Sequence, residues 1–367
     1  MVIDYRSLAN NYISSLTPYQ PGKPIEEVER ELGIHSIIKL ASNENSLGAS
    51  PHAISAAQNA LLKSHIYPDG SCYELKKTLA NFLHVNTDQL TMGNGSENIL
   101  EIIINSYLSK DDEAVISQHA FLTIPILIKR HGANIIKVPA INYGHDIKNM
   151  IASVTEKTRV IFIVNPNNPT GTYTTKDDLK LLFESVSQKV LIVIDEAYSE
   201  YITKADYPNT LELLSTYPNL IITRTFSKVY GLAALRLGYA VTSPEITDIL
   251  NRARLPFNVN SIAASAGIAA ILDQDHVTRS TQMNHDGLSQ FEEGLRKLNI
   301  PFIPSVGNFI TIDVQSHALD VYQNLLALGV ITRPLMAYEM PNHLRVTVGS
   351  TTENERFLEA LYQVVRK

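Results

Sequence analysis

Between Leu90 and Ser243 the chain repeats one texture: a short run rich in Ile and Val, then a stretch with helical periodicity. The runs are QLTMGNG, EAVISQ, NIIKVPA, RVIFIVN, VLIVIDEAY, NLIITRTFS and LGYAVTS. In VIFIV (160–164) and VLIVI (190–194) the apolar residues are contiguous. A strand with one solvated face alternates, whereas a contiguous run suits a strand covered on both faces. The helical stretches between the runs supply that cover. TTKDDLKLLFESVSQ (174–188) opens with a Thr-x-x-Asp capping signal, as a crossover helix should. This pattern predicts an α/β fold, a mainly parallel sheet between helical layers.

The texture also divides the chain. Residues 1–44 read as an arm, with LTPYQPGKP (16–24) ahead of a short charged helix, IEEVERELG (25–33). Residues 45–255 form the large α/β domain. Beyond 255, helical patterns at 259–273 and 275–298 precede FIPSVGNFITIDV, GVITRPL, HLRVTVGS and a closing helix. Few strands separated by a helix predict a smaller α+β domain over 256–367. A net charge of −6 without a basic tract argues against a nucleic-acid partner. No apolar run approaches the ~20 residues of a membrane helix, and MVIDYRSLANNY has no apolar signal core. The single cysteine, Cys72, rules out an internal disulfide and suits a reducing cytoplasm. The expected partners are small molecules, with no membrane and no metal site.

Open α/β sheets keep their ligands beyond the carboxyl ends of the strands, and those ends are loaded here. VLIVIDEAY ends in Asp195, with Tyr198 three residues on, and VIFIVNPNNPTG ends in a turn containing Asn168. LIITRTFSK ends at Lys228, with Thr225 and Ser227 before it and Arg236 eight residues after it. LTMGNGSEN opens a helix whose first N–H groups, at Gly95, Ser96 and Glu97, can hold a phosphate. Singly, each has a plain explanation: a helix cap, a ligand-free turn, a surface lysine, a buried ion pair. Together they ask for one ligand. It carries a phosphate for the helix and for Arg236 as a bidentate partner, a cation for Asp195, and a carbonyl for the amine of Lys228. Pyridoxal 5′-phosphate has all three. A nicotinamide or ATP site leaves Lys228 and Asp195 without matched roles.

NNPTG, DEAY and SKVYGLAALRLGY resemble the signature blocks of the fold-type I pyridoxal-phosphate aminotransferases, the aspartate aminotransferase superfamily. The resemblance runs over nearly the whole chain. Within it, the arm LTPYQPGKPIEEVERELG, IIKLASNENSLGASP and YPDGSCYELK are similar to the histidinol-phosphate aminotransferase family. Ser46 stands where proline is usual, and Ala234 where glycine is usual. The resemblance implies roles for individual residues. Lys228 holds the cofactor covalently, Asp195 pairs with its ring nitrogen, and Tyr198 and Asn168 bind its ring oxygen. Phe121 stacks on the ring. Gly95, Ser96, Glu97, Thr225, Ser227 and Arg236 hold its phosphate, with Tyr67 reaching across a homodimer interface to the neighbour's phosphate in a composite site. Asn43, Asn168, Arg345 and Arg333 face the substrate, with a hydroxyl from Tyr19 in the arm. The implied reaction transfers nitrogen from histidinol phosphate to 2-oxoglutarate, giving glutamate. An aromatic aminotransferase and a threonine-phosphate decarboxylase share the scaffold. A non-catalytic ligand sensor does too, but Lys228 and Asp195 together argue against it.

Overall fold

The computed structural model describes residues 3–18 and 22–365. Thirteen strands occur among them: β1 (Ile38–Lys39), β2 (Leu90–Gly93), β3 (Glu113–Ser117), β4 (Asn134–Val138), β5 (Thr158–Val164), β6 (Leu191–Asp195), β7 (Leu220–Thr225), β8 (Gly238–Thr242), β9 (Phe302–Ile303), β10 (Phe309–Asp313), β11 (Val330–Ile331), β12 (Arg333–Pro334) and β13 (His343–Thr347).

The Ile/Val runs form one seven-stranded sheet, ordered β2-β8-β7-β6-β5-β3-β4. Strand β8 runs antiparallel to both its neighbours, β2 and β7; every other pair in the sheet is parallel. Both faces are covered, which is why the runs are contiguous. In β5, Ile161 and Ile163 enter one core while Val160, Phe162 and Val164 enter another on the opposite face. Burying each such side chain contributes about 1.5–3 kcal/mol. The expected α/β architecture with a mainly parallel sheet is what these residues build.

A second, antiparallel sheet of order β12-β13-β10-β9 packs with the helices Gln274–Leu298, Ala318–Ala327 and Thr351–Val365 around a separate core. The boundary expected at 255 does not separate these cores. The helix Ser261–Leu272 lies beyond it, yet Ala263, Ala266, Ala270 and Ile271 pack with the large sheet. The helix is apolar around its whole circumference, so its sequence marks no face that chooses a core. The arm divides as well. Val28, Leu40 and Ala41 join the second core, and β1 pairs with β11. Within the arm, the segment 3–18 contains a 3-10 turn at Tyr5–Leu8 and a short helix at Asn11–Ser14, both opened by side-chain caps from Asp4 and Asn10.

The strand order gathers the loaded ends on one rim. Asp195 stands beside Val164 and Thr223, and Thr225 stands beside Gly238, which in turn faces Gly93.

Candidate active site

At that rim lies a cleft of about 500 Å³, lined by Ser96, Glu97, Phe121, Val164, Asn168, Asp195, Ala197, Tyr198, Thr225, Ser227, Lys228 and Arg236. Residues read from separate strand ends therefore meet in one place.

Asp195 ends β6 and is only 3% exposed. Its Oδ1 accepts from Thr223 Oγ1 at 2.9 Å. Burial pushes the carboxyl pKa up to about 6, opposed by the Thr223 hydrogen bond. A buried carboxylate of this kind is completed by a cation. Lys228 follows the end of β7, and its Nζ donates to the carbonyl of Ser42 at 3.2 Å. Burial first, then the positive charge of Arg345, brings its pKa down to about 8. The shift enlarges the share of neutral, nucleophilic amine available near neutral pH, compared with an ordinary lysine. Arg236 helps in the same direction but more weakly.

Above these two groups runs a hydrogen-bonded chain. Tyr198 Oη accepts from Asn43 Nδ2 at 2.9 Å and from Asn168 Nδ2 at 3.3 Å. Asn168 Oδ1 accepts from Arg345 Nη1 at 2.6 Å, and Arg345 Nη2 donates to the carbonyl of Ala41 at 2.6 Å. Arg345 Nε is buried without an acceptor, an unsatisfied donor that an incoming anion relieves. Phe309 supports this layer, edge-on to Tyr198 and 5.5 Å from the Arg345 guanidinium.

The far wall is a cup of donors. The helix Ser96–Tyr107 starts at Gly95 (φ 86°) without a side-chain cap, so its first N–H groups are open to a ligand. Backbones crowd there: a Cβ on Gly238 would lie 2.4 Å from Ser96 N, and one on Gly95 would lie 2.6 Å from Arg236 Nη2. Arg236 itself holds φ 54°, a left-handed conformation unusual for a side-chain-bearing residue and commonest at functional sites. Its Nη1 donates to Ser227 Oγ at 3.3 Å and its Nη2 to Glu97 Oε2 at 3.4 Å. Thr225 Oγ1 accepts from Ser227 N at 3.1 Å.

Arg333 and Arg345 are direct partners in the β12–β13 ladder, which puts both side chains on one face of the second sheet. Tyr67 is 80% exposed, stacks on Phe257 at 5.0 Å and does not line the cleft. Tyr19 lies outside the described residues. Three contributors escaped the sequence reading: Thr223, the Ser42 carbonyl and Phe309. Thr223 is found only through the ladder, where it occupies the strand position beside Asp195. Behind it, Glu196 takes Arg224 Nε and Nη2 at 2.9 and 2.7 Å and Thr210 Oγ1 at 2.7 Å, a buried pair that anchors the β6–β7 ends. Among the described residues no acidic, His or Cys cluster could hold a metal, and no helix is long and apolar enough to cross a membrane.

The model of the family "Aminotransferase class I and II" matches residues 35–361. A histidinol-phosphate aminotransferase of Pseudomonas fluorescens is 48% identical over 366 residues, 99% of each chain. One from Nitrosococcus oceani is 47% identical over 363 residues, 99% of this chain and 98% of the relative. The crystal structure of the histidinol-phosphate aminotransferase of Sinorhizobium meliloti, in complex with pyridoxal 5′-phosphate, superposes with a TM-score of 0.89 at 25% identity, covering 98% of each chain.

Proposed function

The chain belongs to the class I and II aminotransferases, and from that premise we propose that it carries out transamination of L-histidinol phosphate with 2-oxoglutarate, using pyridoxal 5′-phosphate, in histidine biosynthesis. The observation that carries the reading is the convergence of Lys228, Asp195 and the donor cup on one cleft. The relatives named above support the choice of substrate.

The residues present fit the cofactor. The open helix start, Thr225, Ser227 and Arg236 would hold its phosphate, Asp195 its ring nitrogen, Asn168 and Tyr198 its ring oxygen, and Lys228 its aldehyde carbon, with Phe121 against the ring. When bound, pyridoxal phosphate supplies an aldehyde that takes up the donor's nitrogen and a ring that accepts the electron pair left by carbon–hydrogen cleavage. The chain's own residues do the rest. Asp195 keeps a negative charge within reach of the ring nitrogen, which keeps that nitrogen protonated. At about 4 Å and an effective dielectric of ~20 such a pair is worth ~4 kcal/mol. Lys228 Nζ, its pKa lowered by burial and by Arg345 so that it gives up its proton more readily than an ordinary lysine, accepts the proton from the substrate carbon that bears the amino group. Arg345 and Arg333, facing one way from β13 and β12, bind the substrate's phosphate; Asn43 orients Tyr198. Tyr19 would add a hydroxyl from the arm. Glutamate and the keto product, imidazole-acetol phosphate, leave the cycle.

Exposed Tyr67, outside its own chain's cleft, serves the neighbouring subunit's cofactor phosphate in a homodimer with composite sites. The buried, unpaired Cys72 is in keeping with a reducing cytoplasm. The test is Lys228→Ala. It retains cofactor non-covalently through the cup and Asp195, and its turnover falls by orders of magnitude. Near-normal turnover in that variant would remove Lys228 from the reaction.

A further inference from the structure

Asp195 has two carboxylate oxygens, and the structure treats them differently. Oδ1 accepts from Thr223 Oγ1 at 2.9 Å; no described residue donates to Oδ2, on a side chain that lines the cleft. Thr223 is wholly buried. It sits beside Asp195 in the β6–β7 ladder, and its carbonyl accepts from Glu196 N at 2.8 Å. The frame that carries its hydroxyl is thus tied to the acid on both sides. A hydroxyl has one proton to give, and this one goes to Asp195.

We propose that Thr223 is a positioning residue for the cofactor's ring: its hydroxyl fixes the rotation of the Asp195 carboxylate, favours its ionised form and leaves Oδ2 to meet the ring nitrogen. The proposal rests on the cofactor reading above. A hydrogen bond made only to the charged form of an acid lowers its pKa. The surroundings otherwise work against ionisation: burial and the charges of Glu196 and Glu97 raise the Asp195 pKa, and only Thr223 and Lys228 lower it. Tyr198 also faces the carboxylate, as a neutral phenol whose own pKa burial raises. Thr223 is therefore the one uncharged group on the favourable side.

The test is cofactor retention by the holoenzyme on dilution, followed through the cofactor's visible absorption as a function of pH. It is run on wild type, Thr223→Val, Thr223→Ser and Asp195→Asn, with the unfolding midpoint of each stripped protein alongside. A charge-assisted hydrogen bond of ordinary strength corresponds to about one pH unit and about a tenfold change in affinity. Thr223→Val is expected to lose cofactor about tenfold more readily at neutral pH. The acid limb of its retention profile should move up by about one unit. Thr223→Ser restores both, and the unfolding midpoints of the two Thr223 variants stay together. Should Thr223→Val not fold, Thr223→Cys offers a weak donor of similar volume and is read the same way. A profile for Thr223→Val that overlays wild type, while Asp195→Asn loses cofactor, overturns the role of Thr223 alone. Unchanged retention in Asp195→Asn overturns the cofactor reading itself.

Discussion

Two buried groups at the bottom of the cleft titrate far from their ordinary pKa values. In Asp195 the carboxyl is pushed up to about 6, and in Lys228 the amine is brought down to about 8, burial being the main cause of each. The signs have consequences for stability. A raised carboxylate pKa favours the folded state at low pH, and that advantage disappears as pH rises from the unfolded value through about 6. Above that, the ionised Asp195 costs the cofactor-free protein roughly 3 kcal/mol, from a shift of about two units. Asp195→Asn, which cannot ionise, is thus expected to stabilise the cofactor-free protein by about 1–3 kcal/mol at pH 7.5 and by little near pH 4, while turnover collapses. Urea unfolding at the two pH values checks this, and an equal gain at both would contradict it. The same reasoning shows why the site was partly legible in sequence. Lys228, Asp195 and Arg236 are charged residues at the ends of apolar runs, and such residues stand out. Thr223 is a β-branched residue inside a strand, where threonine is ordinary; only the ladder register reveals its partner.

At the scale of elements, the seven strands of the large sheet were readable because burial on both faces leaves contiguous apolar runs. The two-residue strands β1, β9, β11 and β12 are too short to show any period, and the helix Ser261–Leu272 has no polar face to orient it. Their places are set by pairing and packing partners that no local pattern names. One such pairing has a direct functional consequence. Register places Arg333 opposite Arg345, so two cations share a face of the second sheet, and the proposed phosphate site draws on both. Truncating a charge that binds a desolvated anion costs about 2–5 kcal/mol, against ~0–1 for an exposed pair. Arg333→Ala is therefore expected to lower kcat/KM for histidinol phosphate roughly 30-fold or more, leaving cofactor absorption unchanged. Unphosphorylated histidinol should be a poor donor and lose little further. A variant that still separates the two donors as strongly as wild type removes Arg333 from the phosphate site.

The whole molecule joins two cores across one cleft. Lys228 and Asp195 come from the large sheet, Arg345 from the second through its bond to Asn168, and Asn43 from the segment that leaves the arm. Tyr67 is stacked on Phe257 and exposed, and in the proposed homodimer it acts on the partner's cofactor phosphate. Mixing Lys228→Ala chains with Tyr67→Phe chains, each of low activity alone, should recover up to roughly a quarter of wild-type activity, because one site of each hybrid dimer is intact. An active monomer in sedimentation would oppose the composite site. The central claim, nitrogen transfer from a phosphate ester, is tested most directly by glutamate release. Purified protein with cofactor and 2-oxoglutarate is offered histidinol phosphate, histidinol, aromatic amino acids and threonine phosphate in parallel. The account predicts stoichiometric glutamate with histidinol phosphate, far less from the others, and no carbon dioxide from threonine phosphate. Glutamate formed best from an aromatic amino acid, or carbon dioxide released from threonine phosphate, would contradict it.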